Sequence, residues 1–145
     1  MKILFLDIDG VLNSRAYDRK RNWNEQTDID ETRLPLVREI IDKTGAKIVL
    51  ISTWRSHWNR DENLISKYGL AIYDKTPDLG LLSKRKDEVK AWLAEHAGEV
   101  ENFVILDDYR FGWDDLSDFY IHTNPHYGLG LEEEHVEKAI ALLNG

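Results

Sequence analysis

Two aspartates one residue apart, Asp7 and Asp9, follow the apolar run at residues 3–6 and lead straight into Gly10 and Val11. An apolar strand that ends this way sets two carboxylates at the carboxyl edge of a buried sheet, where open α/β folds bind ligands. Burying carboxylates is costly unless a metal or a reaction uses them. In isolation the pair also reads as an ordinary Asp-Gly turn. Two further runs favour the chemical reading. Residues 47–51 run into Ser52, Thr53, Trp54 and Arg55, and residues 103–106 run into Asp107 and Asp108. If the second strand lies beside the first, the Ser52 hydroxyl can donate to an anion held over Asp7, although a serine there is also a common helix N-cap. Asp7, the carbonyl of Asp9, and Asp107 offer hard oxygen ligands to one magnesium ion that keeps waters for a substrate phosphate to displace.

Between these strands, Ser83-Lys84-Arg85-Lys86 opens a helix with three cations in its first turn. The helix dipole disfavours cations there, so they call for a compensating anion such as Asp7 or a bound phosphate. Spacing does not choose among Lys84, Arg85 and Lys86, and a solvated charge run is the plain alternative.

The elements that must position these groups follow from hydrophobic period and breakers. Strands are expected at 2–7, 47–52, 70–73, 102–107 and 119–122, and helices near 31–43, 83–96 and 132–143. Another helix is expected after the second strand. That alternation predicts a parallel sheet covered by helices. The helix at 31–43 presents Leu34, Val37, Ile40 and Ile41 on one face with Gly45 past its end. The helix at 83–96 presents Val89, Trp92 and Leu93 behind a Ser83 N-cap. In the last helix Glu132, Glu133 and Glu134 suit the positive end of the dipole, and Val136, Ala139, Ile140 and Leu143 form the buried face. Residues 12–30 read as the longest irregular connection and a candidate flap.

Composition limits the alternatives. The 145 residues, 42% hydrophobic and 10% aromatic, suit one globular core, expected to span residues 1–145. The apolar start is broken by Asp7, too early for a secretory or membrane segment, so a cytoplasmic protein without a membrane partner is expected. With no cysteine there is no disulfide, thiolate nucleophile or cysteine zinc site, which leaves carboxylates and histidines as metal ligands. A net charge of −8 argues against broad non-specific binding to nucleic acid. Arg15, Arg19, Lys20 and Arg21, with Tyr17 and Trp23, form a local exception, either a solvated loop or a phosphate-guiding flap.

Asp7-Ile8-Asp9-Gly10-Val11, Ser52, the basic turn at 84–86 and Asp107-Asp108 resemble, in type and order, the four motifs of the haloacid dehalogenase (HAD) phosphohydrolase superfamily. Residues 6–13, 51–55 and 104–108, with Thr123-Asn124-Pro125 and Gly128-Leu129, resemble the small HAD domain of Swiss Army Knife RNA repair proteins. The resemblance covers almost the whole chain. It implies a Rossmann-like three-layer α/β/α sandwich with a mostly parallel five-stranded sheet. It also implies a magnesium-dependent phosphomonoester hydrolase in which Asp7 is phosphorylated and Asp9 serves as acid and then base. Ser52 would hold phosphoryl oxygens, Lys84 or Arg85 would neutralise charge near Asp7, Thr53 and Arg55 would contact substrate, and Asp7, Asp9, Asp107 and Asp108 would hold the metal. The threonine usual two places after the second aspartate is Val11 here.

Superfamily members acting on small metabolites usually carry a large cap. Here the first insertion point holds only about twenty residues and the second only residues 74–82, which implies a minimal or absent cap and an open site. Open sites suit phosphorylated substrates that bring their own bulk, such as RNA or DNA ends. The kinship with polynucleotide phosphatase domains, through Arg85-Lys86-Asp87, points the same way. Trp23, Trp54 and Trp58, with Tyr109, Phe111 and Trp113, are candidate stacking faces, each also a candidate core residue. A small phosphorylated metabolite and a catalytically silent phosphate- or partner-binding module are the competing readings.

Overall fold

The computed structural model describes residues 1–20, 29–51, 68–80 and 82–145. Among the described residues, five strands form one sheet: β1 (Lys2–Leu6), β2 (Lys47–Leu50), β3 (Ile72–Lys75), β4 (Asn102–Asp107) and β5 (Tyr120–His122). Their order is β3-β2-β1-β4-β5 and every pairing is parallel. The described helices are α1 (Arg15–Lys20), α2 (Leu34–Thr44), α3 (Arg85–Glu95) and α4 (Glu133–Asn144). Short 3-10 turns cover Glu31–Arg33 and Asp114–Phe119. The expected helix after β2 lies outside the described residues.

The strands separate two cores by simple alternation, since successive side chains of a strand point to opposite faces. Leu4, Leu6, Ile48, Leu50, Val104 and Leu106 face α2 and α4, where Val37, Ile40, Val136 and Leu143 are buried. Ile3, Phe5, Val49 and Ile105 face α3 and the 114–119 turn, where Val89, Trp92 and Trp113 are buried. The result is the expected three-layer sandwich. Trp92 anchors the second core: its ring meets Phe5 edge-on at 5.5 Å and its indole nitrogen donates to Asp74 Oδ2 at 2.8 Å.

Several expected boundaries shift. Residues 15–20 form α1 inside the stretch expected to be irregular, so Arg15, Arg19 and Lys20 are exposed on a short helix. The third strand runs Ile72–Lys75 rather than 70–73, because Leu70 turns into the core before the pairing with β2 begins. Lys84, not Ser83, is the N-cap of α3. The Ser83 hydroxyl instead donates to the Gly80 carbonyl at 2.9 Å, closing the preceding turn. Gly45 ends α2 at φ 72°, as expected of a C-cap glycine. Ile140 is only half-buried, and His135 joins the buried face of α4.

Strand order reverses direction between β1 and β4, which creates the crevice where open parallel sheets bind ligands. Leu6 pairs with Leu106, so the next residues, Asp7 just past β1 and Asp107 at the end of β4, lie side by side at that crevice. On the other flank of β1, the Ile51 amide donates to the Leu6 carbonyl at 3.0 Å. No described helix is long and apolar enough to cross a membrane.

Candidate active site

Alternation explains why Arg85 reaches the two aspartates. Leu6 and Leu106 face the α2 and α4 side, so Asp7 and Asp107 turn toward α3, whose first residue is Arg85. Arg85 Nη1 lies 3.0 Å from Asp7 Oδ2 and 2.5 Å from Asp107 Oδ2. Both carboxylates are essentially buried, at 1% and 0% exposure. Of the three candidate cations, Arg85 is the one that reaches the carboxylates. Lys86 pairs with Asp114 at 2.8 Å, away from the carboxylates, and Lys84 is exposed at the helix cap.

Asp7 Oδ1 accepts from the Ile8 amide at 2.9 Å, and the Asp7 amide donates to the Leu106 carbonyl at 3.0 Å. Asp7 Oδ2 is buried without a hydrogen bond among the described residues; Arg85 is close enough for ion pairing, but its N–H is not aimed for a bond. Burial and the neighbouring Asp107 charge raise the Asp7 pKa to about 8, against the opposing pull of Arg85. Burial would lower the Arg85 pKa, but Asp7 and Asp107 together drive it up, so Arg85 is a permanent cation. Burial, followed by Asp107, also raises the pKa of half-buried Asp108.

Ligand oxygens of Asp7, Asp107 and Asp108 lie within 4.8 Å of one another. An all-oxygen set with one buried, unbonded oxygen, and with Asp7 and Asp108 driven toward protonation by burial, fits a hard divalent cation. The Asp9 carboxylate is not in this cluster. It is exposed and accepts from Asn13 Nδ2 at 2.9 Å, while Asn13 Oδ1 accepts from the Gly10 amide at 2.8 Å. Asn13 thus holds the turn and the second aspartate together. An Asn four residues after an aspartate in a glycine turn was the available sequence signal for that clamp.

Two glycines make the close packing feasible. Gly10 has φ +84°, and a Cβ there would sit 2.4 Å from Asp108 Oδ2. Gly130 has φ +83°, and a Cβ there would sit 2.6 Å from the Val11 carbonyl. The Leu131 amide donates to that same carbonyl at 2.8 Å, and buried Thr123 donates its hydroxyl to the Gly10 carbonyl at 2.8 Å. The 123–131 segment therefore braces the turn that carries Asp9. Thr123 and Gly130 carry roles that residue type alone did not reveal, because each acts through a contact more than a hundred residues away in sequence.

The Tyr109 amide donates to Asp107 Oδ1 at 3.0 Å, and the Tyr120 hydroxyl lies 3.0 Å from the Asp107 carbonyl. Of the candidate stacking rings, Tyr109 and Phe111 are 62% and 73% exposed. Trp113 is a core residue, 3% exposed and stacked on Tyr120 at 5.0 Å. His122 turns its Nε2 to the Asp108 carbonyl at 3.1 Å. Arg21, Trp23, Ser52, Thr53, Trp54, Arg55, His57 and Trp58 lie outside the described residues.

Residues 3–136 match the family described as the HAD domain in Swiss Army Knife RNA repair proteins. No curated protein and no solved structure matches the chain.

Proposed function

The chain belongs to the family of HAD domains found in Swiss Army Knife RNA repair proteins, and from that premise we propose that it is a magnesium-dependent phosphomonoester hydrolase acting on nucleic acid end phosphates or nucleotides. The observation that carries this reading is Asp7 Oδ2: buried, free of hydrogen bonds among the described residues, and 3.0 Å from a permanent cation at the sheet's switch point. A carboxylate oxygen with a free lone pair beside an arginine is suited to in-line attack on phosphorus.

In the first step Asp7 Oδ2 forms a bond to phosphorus as the ester P–O bond breaks, and Asp9 delivers its proton to the departing oxygen. In the second, Asp9 takes a proton from water, whose oxygen attacks the aspartyl phosphate and releases inorganic phosphate with Asp7 restored. Asp9 suits this exchange because it is exposed and is held by Asn13 rather than by the buried cluster. Arg85 favours the ionised Asp7 needed for attack and keeps Asp107 oriented. Ser52 holds phosphoryl oxygens, and Thr53 and Arg55 contact the substrate. Asp7, Asp107, Asp108 and the Asp9 carbonyl would hold magnesium, which when bound supplies charge neutralisation for the phosphoryl oxygens.

The test is phosphate release from 3′- and 5′-phosphorylated oligonucleotides, mononucleotides and sugar phosphates, with magnesium or chelator, using Asp7→Asn as control. Magnesium-dependent turnover on oligonucleotide ends or nucleotides, lost in Asp7→Asn, is expected. Turnover only on sugar phosphates would replace this reading with a metabolite phosphatase. No turnover, or a wild-type rate in Asp7→Asn, would refute the nucleophile assignment.

A further inference from the structure

A cleft of about 500 Å³ opens beside the carboxylates, between the start of α3 and the segment after β4. That volume lies in the range of roughly 300–1,000 Å³ in which small ligands are held. Arg85 and Asp108 of the site line it together with Lys84, Tyr109 and Phe111. A ligand in the cleft therefore lies against the arginine that pairs with Asp7 and against one carboxylate of the cluster.

The two rings are exposed on a segment whose backbone is held in place. The Tyr109 amide donates to Asp107 Oδ1, and the Tyr109 carbonyl accepts from Trp113 Nε1 at 2.8 Å and from the Tyr120 hydroxyl at 2.5 Å. Trp113 and Tyr120 stack on each other beneath it. A braced backbone at Tyr109 thus presents two solvent-facing rings to the cleft, one of them the wholly apolar Phe111.

Charge around the cleft narrows the occupant. In a chain of net charge −8, Lys84 of the lining and Arg110, which lies in sequence between the two lining rings, are exposed and have no ion-pair partner among the described residues. Lys86 is already neutralised by Asp114, and Lys90 by Asp115. Aromatic faces with unpaired cations beside a phosphoryl site match the alternation of base and phosphate in a nucleic acid strand.

Resting on the phosphatase reading, we propose that this cleft seats the terminal nucleotide of a phosphorylated single strand, with its base stacked on Phe111 and Tyr109 and the next backbone phosphate near Lys84 and Arg110.

The test is fluorescence anisotropy with a labelled, terminally phosphorylated oligonucleotide and the same probe with an abasic last residue, read for wild type, Phe111→Ala and Phe111→Tyr. Phe111→Ala should weaken binding of the complete probe roughly tenfold, Phe111→Tyr should retain it, and the abasic probe should not distinguish the proteins. For active protein, Phe111→Ala should also lower the ratio of kcat/KM on the oligonucleotide end to that on glycerol phosphate about tenfold. Equal affinity of Phe111→Ala for the complete probe would overturn the proposal, as would a phosphopeptide whose binding shows the same Phe111 dependence. Absence of phosphate release from every substrate would refute the hydrolase reading alone, because the binding comparison needs no turnover.

Discussion

Replacing Asp7 should make the metal-free protein more stable, and the gain should depend on pH. Asp7 is 1% exposed, and its pKa is raised to about 8 from an ordinary 3.8. A group whose folded-state pKa lies above its unfolded value favours folding most below the unfolded value and loses that contribution as pH rises through the folded one. At pH 7 the separation from 3.8 is about three units, which at 1.36 kcal/mol per unit sets a ceiling of about 4 kcal/mol on the cost of keeping Asp7. Asparagine removes the charge and keeps an acceptor for the Ile8 amide, but gives up the ion pair with Arg85. That loss offsets roughly 1–2 kcal/mol, leaving a net gain of about 2 kcal/mol for Asp7→Asn. For a chain of this size the melting midpoint should rise by about 4–8 °C. The assay is urea and thermal unfolding of both proteins in chelator from pH 5 to 8.5, repeated in saturating magnesium. The difference should widen as pH rises and narrow with magnesium, which stabilises only the protein that binds it. A less stable Asp7→Asn at pH 8 in chelator, or a difference independent of pH, would refute the reasoning.

Asp9→Asn should leave the melting midpoint near that of wild type, since the side chain is exposed, while phosphate release falls by roughly 100-fold or more. Gly130→Ala places a Cβ 2.6 Å from the Val11 carbonyl at φ +83°, and should cost at least about 2 kcal/mol in denaturant unfolding. His135 Nδ1 accepts from the Glu132 amide at 2.9 Å, and burial lowers its pKa below the ordinary 6.5. Stability from this group is complete above pH 6.5 and declines as pH falls toward the folded value, so His135→Gln should flatten that part of the pH–stability curve.

How much was legible in sequence varies with the range of the interaction. The three central strands were readable because β1, β2 and β4 are each built on an apolar run that ends at a polar residue, and the carboxylates were readable because they end two of those runs. The position of Arg85 was not. Three neighbouring cations share one helical turn, and only the angle of α3 against the sheet decides which one meets Asp7. Ser83 looked like a cap by type, yet the turn at residues 80–83 claimed its hydroxyl. Trp113 and Phe111 are both aromatic and two residues apart, and folding sends one into the core and the other into water.

By itself the sequence determined the parallel α/β class, the metal-compatible donor set and the order of the motifs, because period, residue type and spacing are local properties. Tertiary structure decided what depends on packing between distant segments. It placed Asp7 beside Asp107 through the β1–β4 register, raised the proton affinity of Asp7 through burial and that neighbouring charge, and braced the Asp9 turn with Thr123 and Gly130. Those energies arise from desolvation and from charges only a few ångströms apart, and neither exists until the sheet has formed.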